Sequence, residues 1–409
     1  VRTWRAVRSF PLPVRLLLVN QLGVNTGFYL LVPYLAVHLG EDLGLSAAAV
    51  GVVLGVRNLS QQGLFLLGGS AADRLGARGV IITGCALRSA GFALFALGDG
   101  LAVLIAASAL TGLAGALFNP AVRAHLAREA GARTAEAFAL FNVFATTGAL
   151  LGPLLGTLLL LVDFRAAALT AAGVFALLTA AQALALPAGT VRPTRTPLLR
   201  DWREVATDRR FGAFSLALVG LYVLESQLYL LLPEAAGRAT GWDGAASLLF
   251  LTSTLANLAL QLRITRRLQG SGRRGRWIAA GLLVTGLAFL PPLVSTGLPV
   301  LLLTVLLLQL GTMVAQPFVM ELVPAFGRPE LTGTYYGAFY VLSGLAAALG
   351  NAAVGWAMDR APWSPWLLCC AVGLAGAAAV AGLQRTGRLP RALLPSPAAA
   401  DPREPSTQR

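Results

Sequence analysis

One carboxylate stands where a carboxylate is expensive. The run Gly220 to Pro233, GLYVLESQLYLLLP, is long enough to cross most of a bilayer and carries Glu225 within it. An ionisable group at that depth costs about 3 kcal/mol or more and is kept for a partner or a task. The chemistry open to it is to bind and release a proton, or to hold a cation that competes for the same place. The stretch has an echo 200 positions earlier, Val24 to Pro33, VNTGFYLLVP. In that register Tyr29 answers Tyr229, Leu30 and Leu31 answer Leu230 and Leu231, Pro33 answers Pro233, and Asn25 falls opposite Glu225. Arg57 and Gln61, with Asn58 and Gln62, form a polar stripe in a further apolar run, read as facing a cavity or the opposite half of the molecule. Burial favours the neutral acid at Glu225, whereas a guanidinium such as Arg57 beside it favours the carboxylate. A fixed ion pair holding two halves together is the competing reading. Arg88 is read as a structural tie on a support helix.

The elements that position these residues follow from composition. Of 409 residues 56% are hydrophobic and 12% are charged, about half the charged share of soluble domains. Most of the chain must therefore face lipid or other helices. Hydropathy divides it into twelve apolar segments near 14–39, 46–70, 79–98, 101–124, 136–161, 164–187, 211–233, 245–265, 277–296, 298–322, 333–357 and 364–385. No charged-then-apolar opening with a small-residue cleavage site is seen, so no cleaved signal peptide is expected. All 32 basic residues are Arg, and 27 of them fall in alternate connectors (1–15, 71–78, 123–135, 188–210, 263–276, 323–332 and 385–409). That asymmetry predicts both termini in the cytoplasm. Charge spread over seven loops is topological, so no nucleic-acid partner is expected. Without Lys there is neither a Walker lysine nor a Schiff-base residue. His38 and His125 stand far apart, and Cys85, Cys369 and Cys370 lie in apolar runs, so no metal site, disulfide framework or cofactor is expected.

The predicted organisation is a six-helix half over 1–187, a linker over 188–210, a second half over 211–385 and a disordered tail over 386–409. Within the linker, LLRDWREVA (Leu198 to Ala206) reads as a surface helix with Leu199, Trp202 and Val205 dipping into the membrane. Further matches support the repeat: Gln61 answers Gln261 at an offset of 200, and Asn119-Pro120 answers Gln316-Pro317 at 197.

Between the second and third segments, Gly69, Asp73, Arg74, Gly76 and Arg78 fill the pattern G-x3-D-R-x-G-x-R. Gly76 allows the tight turn, and Asp73 can sit at a helix N-terminus while the arginines meet acids or phosphates. The pattern resembles motif A of the major facilitator superfamily. The resemblance implies a latch between the halves on the cytoplasmic side, carried to Asp73 and Arg74. The matching loop of the second half, RRLQGSGRRGRW, has no acid, so a one-sided latch is expected. In the fifth segment Gly148, Gly152, Pro153 and Gly156 resemble motif C, which in the superfamily marks exporters driven by a proton gradient. Glycines at i, i+4 and i+8 also make a smooth packing groove, whatever the family. One departure is plain: Ser108 stands four residues before Gly112, where the family carries an arginine.

Longer stretches, among them GFYLLVPYLAVHLG and LGVRNLSQQGLFLLGGSAADRLGARG, are similar to the MdtH-type multidrug resistance proteins of that superfamily. What the resemblance implies is an all-α membrane protein with twelve transmembrane helices in two pseudo-symmetric halves, set in the cell membrane. It implies efflux of small amphiphilic or cationic compounds in exchange for protons, in a monomer that is not an enzyme. A transporter of one specific metabolite is the alternative, and a non-transporting receptor or scaffold is the alternative from another class.

Overall fold

A computed structural model describes residues 2–187, 196–242, 244–269 and 273–390. Among these residues there is no strand, and twelve helical spans follow one another. They are α1 (Leu12–Val37), α2 (Ala47–Gly63, continued after a bend of 47° by Phe65–Leu75), α3 (Ala77–Leu97), α4 (Leu101–Ala130), α5 (Thr134–Leu160) and α6 (Phe164–Ala185). After the linker helix (Leu198–Thr207) come α7 (Arg209–Ala217, Val219–Ser226 and Leu231–Thr240), α8 (Ala245–Gln269), α9 (Arg274–Leu287), α10 (Leu298–Leu322), α11 (Thr332–Met358) and α12 (Ser364–Arg385).

The two halves repeat one packing scheme. α3 lies against α4 and α6, and α9 lies against α10 and α12 in the same way. α1 runs along α5, as the middle of α7 runs along α11. The halves meet where α2 packs on α11 and α8 packs on α5, which is one contact seen twice because α2 corresponds to α8 and α5 to α11. Pro120 and Pro317, the prolines of the sequence repeat, are both buried inside α4 and α10. Helices tolerate such prolines in lipid because neighbouring elements re-satisfy the freed carbonyls. Leu154, Leu158, Leu177 and Leu184 are exposed on the outside of the bundle, which suits a hydrocarbon surround and not water. This is a multi-pass membrane protein.

Two expectations are corrected. The seventh apolar segment is not one helix: it breaks after Ser226, turns through Gln227 to Leu230, and resumes at Leu231. Pro233, with no N–H to give, sits in the first turn of the resumed helix, where that donor would go unused. The linker helix does not dip into the membrane with Leu199, Trp202 and Val205. Val205 and Asp201 are buried against the bundle, and the Trp202 indole donates to Ser70 Oγ at 2.8 Å. Leu199 is 75% exposed. The polar partners of Trp202 and Asp201 are on the protein, so the face that carries them turns inward. The start of the linker and the tail beyond residue 390 lie outside the described residues.

Candidate functional site

Glu225 and the residues of its echo meet in space. A cavity of about 250 Å³ between the halves is lined by Asn25 and Tyr29 from α1, Glu225 and Tyr229 from α7, and polar groups of α5, α8 and α10. Glu225 stands in the last turn before α7 breaks, and Tyr229 lies in the break, 70% exposed. No ion pair and no hydrogen bond reaches the Glu225 carboxylate among the described residues. Its titratable neighbours are the phenols of Tyr222, Tyr229 and Tyr340. A lone carboxylate in a polar pocket can hold a proton or a cation, and amides around it can orient a bound solute.

The α1 wall of this cavity is held by α5. Asn25 donates from Nδ2 to the Ala145 carbonyl at 2.9 Å and accepts from Gln21 Nε2 at 2.8 Å. The glycines at 148, 152 and 156 let the two backbones meet. A Cβ on Gly152 would stand 2.7 Å from Tyr29 Cβ and 2.8 Å from the Thr26 carbonyl, closer than real contacts allow. Gly148 and Gly156 leave room in the same way for the carbonyls of Leu22 and Leu30. Beside Pro153, Tyr34 donates its hydroxyl to the Pro153 carbonyl at 2.8 Å. The pattern read as motif C is therefore a seam that fixes where Asn25 and Tyr29 stand.

Arg57 and Gln61 are elsewhere. Neither lines the cavity, and Arg57 makes no ion pair with Glu225. The Arg57 guanidinium lies over the Phe28 ring, 5.2 Å from its centre, and donates to Asn58 Oδ1 at 2.7 Å. Gln61 packs at Gly115 of α4. Its repeat partner Gln261 does the equivalent on α10, donating to the Met313 carbonyl at 3.3 Å.

At the Arg-rich end of the bundle the halves are tied. Asp73 caps α11: Oδ1 accepts from Gly333 N at 2.8 Å, and Oδ2 accepts from Thr334 N at 2.7 Å and Thr334 Oγ1 at 2.8 Å. Arg128 of α4 adds an ion pair to Asp73 at 3.0 Å. Gly69 and Gly333 lack the Cβ atoms that would otherwise overlap the facing backbones, and Gly76 takes φ +87° to turn α2 into α3. Arg74 does not reach the second half directly. It pairs with Asp201 of the linker helix, which also faces Arg328 at 3.6 Å, while Glu204 holds Arg328 at 2.8 Å. Arg78 donates to the Ala183 carbonyl at the end of α6 at 2.6 Å.

The tie is also two-sided, contrary to the expectation from the second-half loop. Glu136, in the first turn of α5, accepts from Arg266 of α8 at 2.7 Å and from Arg133 at 2.9 Å. The acid stands at the helix N-terminus and the base on the loop-forming helix, the reverse of the Asp73 arrangement. An acid placed for the α5 end was invisible to a search of the loop for one. Glu321 of α10 pairs with Arg274 of α9 at 3.0 Å.

The model of the Major Facilitator Superfamily matches residues 17–351. The chain belongs to that superfamily. An uncharacterised MFS-type transporter of Mycobacterium tuberculosis (strain ATCC 25618 / H37Rv) is 42% identical over 399 residues, covering 92% of this chain and 94% of the relative. A multidrug resistance protein MdtH of Proteus mirabilis (strain HI4320) is 33% identical over 367 residues, covering 87% and 91%. Among solved structures, the human organic anion transporter MFSD10 superposes with a TM-score of 0.74 at 21% identity, covering 90% of this chain and 98% of its own. The E. coli fucose:proton symporter FucP superposes with a TM-score of 0.76 at 13% identity, also over 90% and 98%. These two likenesses speak for the fold.

Within this superfamily frame the sequence reading missed most of the α5–α8 wall. Asn142 donates to Gln261 Oε1 at 3.3 Å, and Thr146 donates to Asn257 Oδ1 at 3.4 Å, each bond crossing between the halves. The signal was of the kind that exposed Asn25: lone amides and hydroxyls in FNVFATTG and LANLALQL.

Proposed function

We propose that this superfamily member is a secondary transporter in the cell membrane, with both termini cytoplasmic, that exports small amphiphilic or cationic compounds in exchange for protons. Alternating access supplies the mechanism: the lobes rock about a cavity near the middle of the membrane. The observation that carries the reading is the Glu225 carboxylate on the cavity wall with no ion-pair partner. A fixed pair would hold its charge through the cycle, whereas an unpaired acid is free to exchange a proton for a cationic solute. The ties at Asp73 and Glu136 join the halves at the Arg-rich end, which this reading assigns to the cytoplasm. The 33% identity to the Proteus multidrug resistance protein supports multidrug-type export.

Glu225→Gln tests the assignment because it keeps the shape and removes the titratable group. In everted vesicles the variant should lose proton-driven accumulation yet still allow downhill exchange of substrate. Normal pumping against a gradient would mean that the proton is carried elsewhere. A second reading, transport of one small metabolite, is favoured by the cavity's size, which is below the roughly 300–1,000 Å³ usual for drug-sized ligands. A panel of compounds in the same vesicles separates the two: proton release on addition of many amphiphiles supports multidrug export, and a response to one small polar solute supports the other.

A further inference from the structure

Two guanidiniums lie inside the first half with no acid to meet them. Arg88 is 5% exposed, at the centre of α3, and its Nε has no hydrogen-bond partner. Arg57, half-buried on α2, likewise has an unpartnered Nε, and its Nη2 donates to the Asn58 amide oxygen. Both face one aromatic ring: Arg57 is 5.2 Å and Arg88 is 5.3 Å from the centre of Phe28. Arg88 also lies 5.4 Å from the centre of Phe175. Among the described residues neither forms an ion pair, although Arg74, Arg128, Arg274 and others do.

The surroundings are built to admit these groups rather than to neutralise them. Gly115 leaves the space: a Cβ there would stand 2.6 Å from Arg88 Nη2 and 2.8 Å from Gln61 Oε1. The nearby Cys85 is a thiol and Gln61 is an amide, so among the described residues dipoles and ring faces meet two positive charges that repel each other. Arg cannot shed its proton to escape the cost. Ring faces contribute about 0.5–2 kcal/mol each, well short of an ion pair's attraction in a low-dielectric interior. The cluster adjoins the cavity through α1. Phe28 and Tyr29 are consecutive, their rings 5.2 Å apart edge-on, and Tyr29 lines the cavity.

We propose that Arg57 and Arg88, with Gln61 and the Phe28 ring, form an anion-binding subsite that takes the acidic group of an amphiphilic organic anion or zwitterion. Planar guanidiniums suit a carboxylate, and the ring face beside them suits an apolar body. This narrows the transported class and rests on the transporter reading only for its consequence in transport. The cluster is opposite in sign to Glu225 and is joined to the cavity wall through the Phe28–Tyr29 step of α1.

The test is binding, read without a gradient. The purified full chain in nanodiscs of uncharged lipid is titrated calorimetrically with 1-naphthoate, with the near-isosteric neutral 1-naphthamide, and with 1-naphthylmethylammonium. Wild type should bind naphthoate about tenfold or more tightly than the amide, the worth of one charge-assisted contact. Arg57→Gln and Arg88→Gln should each abolish that preference, and Arg57→Lys should keep part of it. If burial makes Arg88→Gln unfold, the half-exposed Arg57→Gln still decides the matter. Because binding is read without a gradient, loss of proton coupling does not enter the readout, which separates a failure of the transporter reading from a failure of this site. Equal binding of naphthoate and naphthamide by wild type, or an undiminished preference in Arg57→Gln, would overturn the proposal.

Discussion

Replacing Asp73 by Asn should open the Arg-rich end. The carboxylate accepts two backbone N–H groups and one hydroxyl at the start of α11 and pairs with Arg128, while 3% of the residue is exposed. Asn has one acceptor oxygen, so it can keep the amide of Gly333 or of Thr334 but not both. Its NH₂ then faces a donor, and Arg128 loses its counter-charge. Removing one partner of a buried pair costs about 3–5 kcal/mol, and contacts that Asn retains bring the net to the lower end, about 3 kcal/mol. That is on the order of 100-fold in the balance between closed and open gates. Spin labels at Leu75→Cys and Arg267→Cys, with Cys85, Cys369 and Cys370 replaced, report the separation of the halves at that end. Wild type should give one short distance, and Asp73→Asn a second, longer population with reduced turnover. Arg128→Gln, which leaves Asp73 on the α11 amides, should give a smaller longer-distance fraction. An unchanged distance distribution in a folded, inserted Asp73→Asn protein would refute the argument that these bonds hold the gate.

Other outcomes follow from the same contacts. Glu136→Gln removes the counter-tie to Arg266, and because both arginine partners are about 40% exposed, the labelled distance should shift less than in Asp73→Asn. Gly152→Leu forces α1 away from α5, since even a Cβ there falls about 0.7 Å inside ordinary contact with Tyr29; transport should fall sharply while the protein still inserts, and near-normal transport would make the glycine seam incidental. A reporter fused after Arg409 should be active only when cytoplasmic, and one inserted near Gly241 only when external; the opposite pattern would invert the orientation and the placing of the Asp73 gate.

What could be read beforehand followed from physics that acts locally along the chain. Lipid demands long apolar helices, so the twelve spans stand out in hydropathy alone. A tight turn needs Gly76, and a helix N-terminus welcomes Asp73, so this contact between the halves was legible as a motif without its partner. The echo of Val24–Pro33 in Leu224–Pro233 pointed to Asn25, Tyr29, Glu225 and Tyr229, which line one cavity because the repeat places equivalent positions about one axis. The failures are failures of facing. Arg57 reads from the sequence as facing a cavity or the opposite half, yet a helix can turn a mid-membrane side chain to either side, and α2 turns this one towards Phe28. The linker helix has an apolar stripe, but Asp201 and Trp202 share its inward face, and their hydrogen bonds to Arg74 and Ser70 outweigh the stripe. Glu136 lay unnoticed because its partner Arg266 is 130 positions away, and nothing local to either predicts the other.

The two walls of the cavity differ in stiffness, and that difference bears on how a proton site could be coupled to movement. On one side Asn25 and Tyr29 belong to a continuous helix, Leu12–Val37, locked to α5 by three glycines and by the Asn25–Ala145 and Tyr34–Pro153 hydrogen bonds. On the other side Glu225 stands at the edge of a break, where the amides of Gln227, Leu228 and Tyr229 bond three residues back instead of four. The break is not slack, for Ser226 Oγ and Gln227 Nε2 both donate to Asn351 Oδ1 on α11, at 2.7 and 3.0 Å. α11 is also the helix whose N-terminus Asp73 caps, about five turns away along the same rod. A helix transmits displacement along its length, because its backbone bonds are satisfied internally and resist bending. Release of α11 at the Asp73 end should therefore move the anchor of the α7 break, and with it the surroundings of the Glu225 carboxylate.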